Sequence, residues 1–415
     1  MKRMTKILLL PFILSVMILC SCNTKPGAFE PIDSAGIINN ANPLPENIRP
    51  QLEGIYKITE GNSDFGNYAV VKLIRNHLSV LCSGNNSYFI LSSGERDSSL
   101  MFDGFWRYSQ NTTTGTADLT INKFEGARNL LSGRPAEEII LKGVYSKDGR
   151  SGLPLKFQYV KPLKNDSSFY IIAHRGGGRN SDHLPASENS LEILQLAEYY
   201  GANSVEIDVQ LTKDNIPILF HDEEFTQRLV KGNYLIGSVS SFSFKQIRTF
   251  GRLIHDEKIP SLEEALDVIL NKTSVKLVWL DVKYPSSIPF VAPLQKKYNE
   301  LALARNRNLK ILIGLPDEDV LNSYLQYGNT QEHPCLCELD ITQVRKAGAG
   351  VWAPRFTDGI VKPQILSMQT EQRKVFVWTL DNPGFIHDFV SSKYYDGILS
   401  NYPSIVACEY YMREE

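Results

Sequence analysis

Two textures of apolar and polar alternation divide this chain. From about Leu52 to Val160, short β-prone runs recur: Gly54–Thr59, Tyr68–Ile74, Leu78–Ser83, Tyr88–Leu91, Leu100–Tyr108, Ala117–Ile121, Glu138–Tyr145 and Leu155–Tyr159. Clusters of Gly, Asn, Ser and Asp separate them, which predicts a small all-β barrel or sandwich over residues 51–162. The region shows no acid–base pair and no metal-ligand spacing, so it reads as a spacer or binding module.

Past a linker at Lys161–Ser168 the texture becomes strand–helix–strand. Strands are predicted at Tyr170–His174, Ser204–Leu211, Pro217–His221, Lys276–Lys283, Lys310–Leu315, Gly350–Pro354, Val375–Leu380 and Gly397–Ser400. Helical periodicity fills Ser190–Tyr200, Ser261–Leu270, Val291–Ala304, Val320–Tyr327 and Pro383–Val390. Apolar strands alternating with helices imply a parallel sheet, and eight of them over residues 168–410 imply a closed (β/α)8 TIM barrel. Pro334–Asp340 is a further strand candidate outside that set.

The N-terminus adds a targeting signal. Lys2, Arg3 and Lys6 precede the apolar run Ile7–Leu19, too short to span a bilayer comfortably. The run ends in Leu19-Cys20-Ser21-Cys22, which resembles a bacterial lipobox. Residues 1–21 then read as a lipoprotein signal peptide, with Cys22 as the lipid-modified first residue of the mature chain. Residues 22–50, rich in Pro, Asn and Ser, read as a tether. The expected location is the bacterial cell envelope, with a membrane anchor through Cys22. The formal net charge is −2 over 415 residues, and losing the basic leader makes it more negative. Such a surface has no general attraction for nucleic acid. The remaining cysteines, Cys82, Cys335, Cys337 and Cys408, form no disulfide framework or metal cage.

Candidate chemistry follows from strand periodicity, because residues i and i+2 share a face. In Val205-Glu206-Ile207-Asp208-Val209, the aliphatic residues take one face and the two acids the other. The outward face of a barrel strand packs under helices and must be apolar, so Glu206 and Asp208 point inward. Two buried carboxylates close together need a compensating charge, and a divalent cation with hard oxygen ligands is the simplest one. The same arithmetic turns Asp281 and Lys283 inward, as a third ligand and a partner for an anionic substrate oxygen. His174, Arg175 and His221 fall at strand ends, where barrel enzymes place catalytic groups. Taken singly, each has a structural explanation: a satisfied core histidine, an Arg175–Glu206 ion pair, a tight βα turn at Gly176-Gly177-Gly178.

Together, however, these residues resemble a known signature. Ile172-Ala173-His174-Arg175-Gly176-Gly177, Glu188-Asn189-Ser190, Val205-Glu206-Ile207-Asp208-Val209, Thr212-Lys213-Asp214 and His221-Asp222 are similar to the glycerophosphodiester phosphodiesterase family, within the PI-PLC-like phosphodiesterase superfamily. Ile259-Pro260-Ser261-Leu262-Glu263-Glu264, Val377-Trp378-Thr379 and Asp396-Gly397-Ile398 continue the pattern in order, so the resemblance covers roughly 169–408. It implies His174 and His221 as the acid–base pair. Glu206, Asp208 and Asp281 would ligate Mg2+ or Ca2+. Arg175 and Lys283 would bind the phosphate, and Trp378 would wall the pocket. The implied substrate is a small-molecule phosphodiester, cleaved to an alcohol and glycerol phosphate.

Within Glu188-Asn189-Ser190, the spacing of Asn189 and Glu192 reads as a helix-capping box. Two departures from the family pattern stand out. Asp281 replaces the usual Glu, as in related sphingomyelinase D-type enzymes, and Ser400-Asn401-Tyr402-Pro403 replaces Thr-Asp-x-Pro. Competing expectations are a phospholipase D-like or phosphoinositide-cleaving enzyme acting on lipids, and a non-catalytic lipoprotein that binds phosphoglycans or lipid headgroups.

Overall fold

Alternation on the N-terminal strands resolves into a closed wall. The computed structural model describes residues 36–135, 138–163, 168–232 and 234–413. In it, β1 (Gly54–Glu60), β2 (Tyr68–Ile74), β3 (His77–Cys82), β4 (Ser87–Arg96), β5 (Ser99–Tyr108), β6 (Thr114–Ile121), β7 (Ile140–Lys147) and β8 (Arg150–Pro162) form an antiparallel barrel. Inward-facing Phe89, Phe102, Trp106 and Phe157 fill it. Of the stretch read as a tether, residues 36–50 are described and pack: Asn42 bridges Glu95, and Ile48 is buried in the barrel core. Cys22 and the signal segment lie outside the described residues, as do residues 164–167 of the linker.

The outer row of the same strands is also apolar. Val70, Leu81, Tyr88, Ile90 and Phe105 share one hydrophobic layer with Tyr199, Tyr200, Ile405 and Cys408 of the C-terminal half. A strand buried on both faces reads as a near-continuous apolar run, which is the texture of β3 and β5.

The C-terminal half closes a parallel barrel from β9 (Tyr170–Ala173), β10 (Ser204–Leu211), β14 (Leu277–Val282), β15 (Lys310–Leu315), β16 (Cys335–Cys337), β17 (Val351–Trp352), β18 (Lys374–Val377) and β19 (Gly397–Ser400), with β19 pairing back to β9. The strand count of eight holds, but its membership changes. β11 (Pro217–Leu219) is not a stave; it folds back antiparallel on β10, with Val209 opposite Leu219. Cys335–Cys337 takes the vacated place as a stave between β15 and β17. The reason is that Ile218 and Phe220 enter a separate small core with Phe225, Leu229, Ile247 and Ile259. That core belongs to a lobe at 220–260 carrying the short hairpin β12 (Glu224–Phe225) and β13 (Gly237–Ser238). An apolar run reads alike whether it feeds the main core or a lobe.

The helices Leu262–Lys272 and Ile288–Ala304 lie where periodicity placed them. Phe244–Phe250, Ile341–Ala347, Lys362–Thr370 and Pro403–Met412 were not foreseen. The described residues include no helix long and apolar enough to cross a membrane.

Candidate active site

His174, Arg175, Asp281, Lys283 and Trp378 sit at or just past the C-terminal ends of β9, β14 and β18, where βα loops build barrel sites, while Glu206 and Asp208 lie within β10 and His221 follows the antiparallel β11. β10 and β14 run in register, with Glu206 opposite Trp279 and Asp208 opposite Asp281. Val205, Ile207, Leu280 and Val282 face the helices, so the acids project inward. Oxygens of Glu206, Asp208 and Asp281 lie within 4.8 Å of one another. Glu206 Oε1 and Asp281 Oδ1 are buried without a hydrogen-bond partner. Lys283 hydrogen-bonds Asp281 Oδ2, and its Nζ lies 2.6 Å from Asp208 Oδ1 as an ion pair without hydrogen-bond alignment.

The electrostatics favour a further cation. Three carboxylates and one ammonium sum to a formal −2. Burial, then Asp208 and Asp281, raises the Glu206 carboxyl well above the usual range. Burial likewise raises Asp281, with Lys283 opposing. Burial also opposes ionisation of Asp208, but Lys283, His221 and Arg175 outweigh it and hold this carboxyl low. Buried, unpaired hard oxygen donors around a net negative point fit a divalent cation.

His174 closes β9, and the next residue turns sharply, with Arg175 at φ 52°. That turn aims the Arg175 backbone N–H at Glu206 Oε2, 2.8 Å away. The Arg175 guanidinium donates to Glu188 Oε1 at 2.6 Å, so the sequence alternative of an Arg175–Glu206 side-chain pair is not what forms. Its Nε remains buried without a hydrogen bond.

His174 Nδ1 meets Asn401 Oδ1 at 2.8 Å. Asn401 Nδ2 in turn donates to Asp381 Oδ2 at 2.6 Å, which fixes the amide with its oxygen toward the imidazole. An amide oxygen only accepts, so the Nδ1 proton is on His174 and the lone pair of the neutral ring is at Nε2. Nε2 lies 3.8 Å from Glu206 Oε2. Burial, followed by the Arg175 charge, lowers His174 to about 4. His221 is built differently. Its Nδ1 meets the carboxylate of Asp222 at 2.7 Å, and Asp222 also accepts from Arg228 Nη2 at 2.6 Å.

His174, Arg175, Glu206, His221 and Asp281 line a cleft of about 400 Å³ with Lys283, Trp279, Glu338, Arg355 and Trp378, and Asp208 lies buried behind it. Trp378 forms a wall, anchored by Nε1 to Ala353 O at 2.8 Å, with the Arg355 guanidinium 5.0 Å over its ring.

The capping-box assignment for Asn189 is overturned. Ser190 is the N-cap, accepting from the Ile193 N–H. Asn189 instead donates from Nδ2 to Asp208 Oδ2 at 2.7 Å and accepts from the Asp208 N–H at 3.1 Å. Its φ of 60° turns it away from the helix and into the acid cluster.

Several site residues were missed in the sequence. Glu338 follows the displaced stave β16 and was lost with it. Asp381 and Arg228 act one step behind the histidines, where no spacing rule reaches, and Asp222, present in the His221-Asp222 motif, was given no role there. Asn401 was noticed as a departure from the pattern, but its hydrogen bond to His174 was not foreseen.

Residues 174–405 match the model of the glycerophosphoryl diester phosphodiesterase family. The human protein named glycerophosphodiester phosphodiesterase 1 is 35% identical over 134 residues, covering 30% of this chain and 36% of its own. A glycerophosphodiester phosphodiesterase of Caldanaerobacter subterraneus subsp. tengcongensis is 32% identical over 140 residues, covering 31% of this chain and 53% of its own. The chain thus spans about half or less of the curated relatives it matches. The crystal structure of glycerophosphodiester phosphodiesterase from Agrobacterium tumefaciens superposes with a TM-score of 0.45 at 20% identity, over 58% of this chain and 99% of that one.

Proposed function

The chain belongs to the glycerophosphoryl diester phosphodiesterase family, and from that premise we propose that it hydrolyses glycerophosphodiesters to an alcohol and glycerol phosphate in the cleft between His174 and Trp378. The observation that carries the reading is that two imidazoles line one cleft with Glu206 and Asp281, whose carboxylates cluster with that of buried Asp208.

A phosphodiester is anionic and resists attack by an electron-rich oxygen, so positive charge at its phosphoryl oxygens comes first. Glu206, Asp208 and Asp281 would hold Mg2+ or Ca2+, which supplies Lewis-acid stabilisation there when bound. Lys283 and Arg175 add fixed positive charge beside the acids. His174, neutral with its lone pair at Nε2, takes the proton of the attacking hydroxyl. Protonation of the departing alkoxide falls to His221, whose Nδ1 is held by Asp222. Each proton transfer contributes about 10²–10⁴-fold. Attack by water yields glycerol phosphate directly, and attack by a neighbouring glycerol hydroxyl yields a cyclic phosphate first. Phosphorus NMR of early time points separates the two routes.

The direct test is replacement of His174 or His221 by Ala, with turnover of glycerophosphodiesters as the readout. Each change is expected to remove about 10²-fold or more of the rate while leaving the melting temperature within a few degrees. Full turnover in either variant contradicts the acid–base assignment.

The leader supports a second proposal, that the mature chain is anchored in the bacterial envelope through acylated Cys22. Its basis is the charged start, the apolar run and the Leu19-Cys20-Ser21-Cys22 sequence. Labelling with a fatty-acid probe should mark the wild type and not Cys22→Ser. Equal labelling of both excludes it.

A further inference from the structure

The N-terminal barrel lies outside the family match, yet one of its side chains reaches the loop that builds the active site. Arg107, on the outer face of β5, is only 3% exposed. Its Nη2 donates to Asp182 O at 2.5 Å, its Nη1 donates to His183 O, and Nε and Nη2 also bond Asn111 O of its own hairpin at 3.2 and 3.1 Å. The acceptors on the loop are both backbone carbonyls, and the Tyr88 hydroxyl also interacts with the guanidinium. A buried guanidinium is costly to desolvate, and carbonyl oxygens return less than a carboxylate would. An apolar residue of similar volume would avoid that desolvation cost.

What Arg107 holds is specific. Asp182 is tied by its carboxylate to Arg179 Nη2 at 3.0 Å and Tyr402 OH at 2.9 Å. His183 sits at φ 53°. The same loop continues to Glu188, which holds Arg175, and Asn189, which holds Asp208. The hairpin following Arg107 makes a second contact. Gln110 Nε2 donates to Asp381 O at 3.1 Å, and Ser109 Oγ lies 2.9 Å from Ser404 Oγ. Asp381 is the residue that orients Asn401 against His174.

We propose that the N-terminal barrel is a positioning element of the active site, with Arg107 clamping the 179–189 loop and Gln110 bracing Asp381, so that the catalytic geometry is completed by a domain outside the family match. Arg107 and Gln110 are positioning residues; neither lines the cleft. This inference rests on the phosphodiesterase reading for its kinetic consequence but not for its structural one. Misplacement of a reacting group by about 1 Å can cost about 10²-fold in rate.

The test uses the full chain with three variants: Arg107→Met, which keeps the volume and removes the donors; Arg107→Lys; and exposed Gln110→Ala. Kinetics with a glycerophosphodiester and Mg2+ or Ca2+ are read beside hydrogen–deuterium exchange of residues 179–189. Arg107→Met should lower kcat by about 10-fold or more with KM changed less than about 3-fold, and should speed exchange in that loop. Arg107→Lys, which keeps a charged donor, should fall between Arg107→Met and the wild type. Gln110→Ala should show a smaller loss of kcat in a chain of unchanged stability. If Arg107→Met lowers the melting temperature but keeps wild-type kcat and loop exchange, the residue is merely structural and the proposal fails. If the wild type turns over no diester while Arg107→Met still releases the loop, the functional reading fails and the clamp stands.

Discussion

Asp208 and Asp281 occupy one register position on adjacent parallel strands, so their carboxylates share a single desolvated point with Glu206. Because Glu206 and Asp281 are raised toward protonation there, a cation and protons compete for the same oxygens. Binding of Mg2+ or Ca2+ should therefore release protons, and affinity should rise with pH. Calorimetry in buffers of different ionisation enthalpy measures the proton count. Asp281→Ala should weaken the affinity at least about 10-fold. A pH-independent affinity with no proton release would place the ion elsewhere.

Asn189 and Ser190 are neighbours with separate tasks, and two single substitutions separate them. Ser190→Ala removes the helix cap, at a cost of about 1 kcal/mol in stability with kcat intact. Asn189→Ala leaves Asp208 without its amide partner and should lower metal affinity or kcat about 10–100-fold. Denaturation midpoints and kinetics on both variants check the pair. The reverse pattern would return Asn189 to the capping role.

His77 carries a pH signature for the N-terminal barrel. Burial, with Arg75 alongside, lowers it from 6.5 to about 4, and its ring packs 4.7 Å from Tyr199 across the shared layer. Above pH 6.5 the imidazole is neutral in both folded and unfolded chains, so the neutral packing contributes in full. Below 6.5 the unfolded chain takes up the proton first, and stability falls as pH drops toward 4. His174 and His333 are lowered as well, so His77→Asn should flatten part of that slope, not all of it. Urea midpoints at pH 7 and pH 5 test this, and an unchanged slope in the variant would exclude His77 as a contributor.

Strand periodicity alone identified the inward acids, because only period-2 alternation puts Glu206 and Asp208 opposite three aliphatic neighbours. It also located all eight N-terminal strands, missing one end of β4 and one end of β8 by five residues. It failed where an apolar run served a different core, which is why β11 stood in for β16 and Glu338 escaped notice. Hydrogen-bond partners contributed from distant positions, such as Asn401 to His174 or Arg107 to Asp182, have no local sequence signal. The Asn189 error has the same origin: a capping pattern and a ligand-orienting amide use the same residue types at the same spacing.

The central claim is that three acids and two histidines form one metal-dependent hydrolytic site. It is tested most directly by following glycerol phosphate release from a glycerophosphodiester before and after chelation with EDTA, and again after Mg2+ or Ca2+ is restored. Release is expected to stop on chelation and to return with the ion. Undiminished release in the presence of the chelator would contradict the claim.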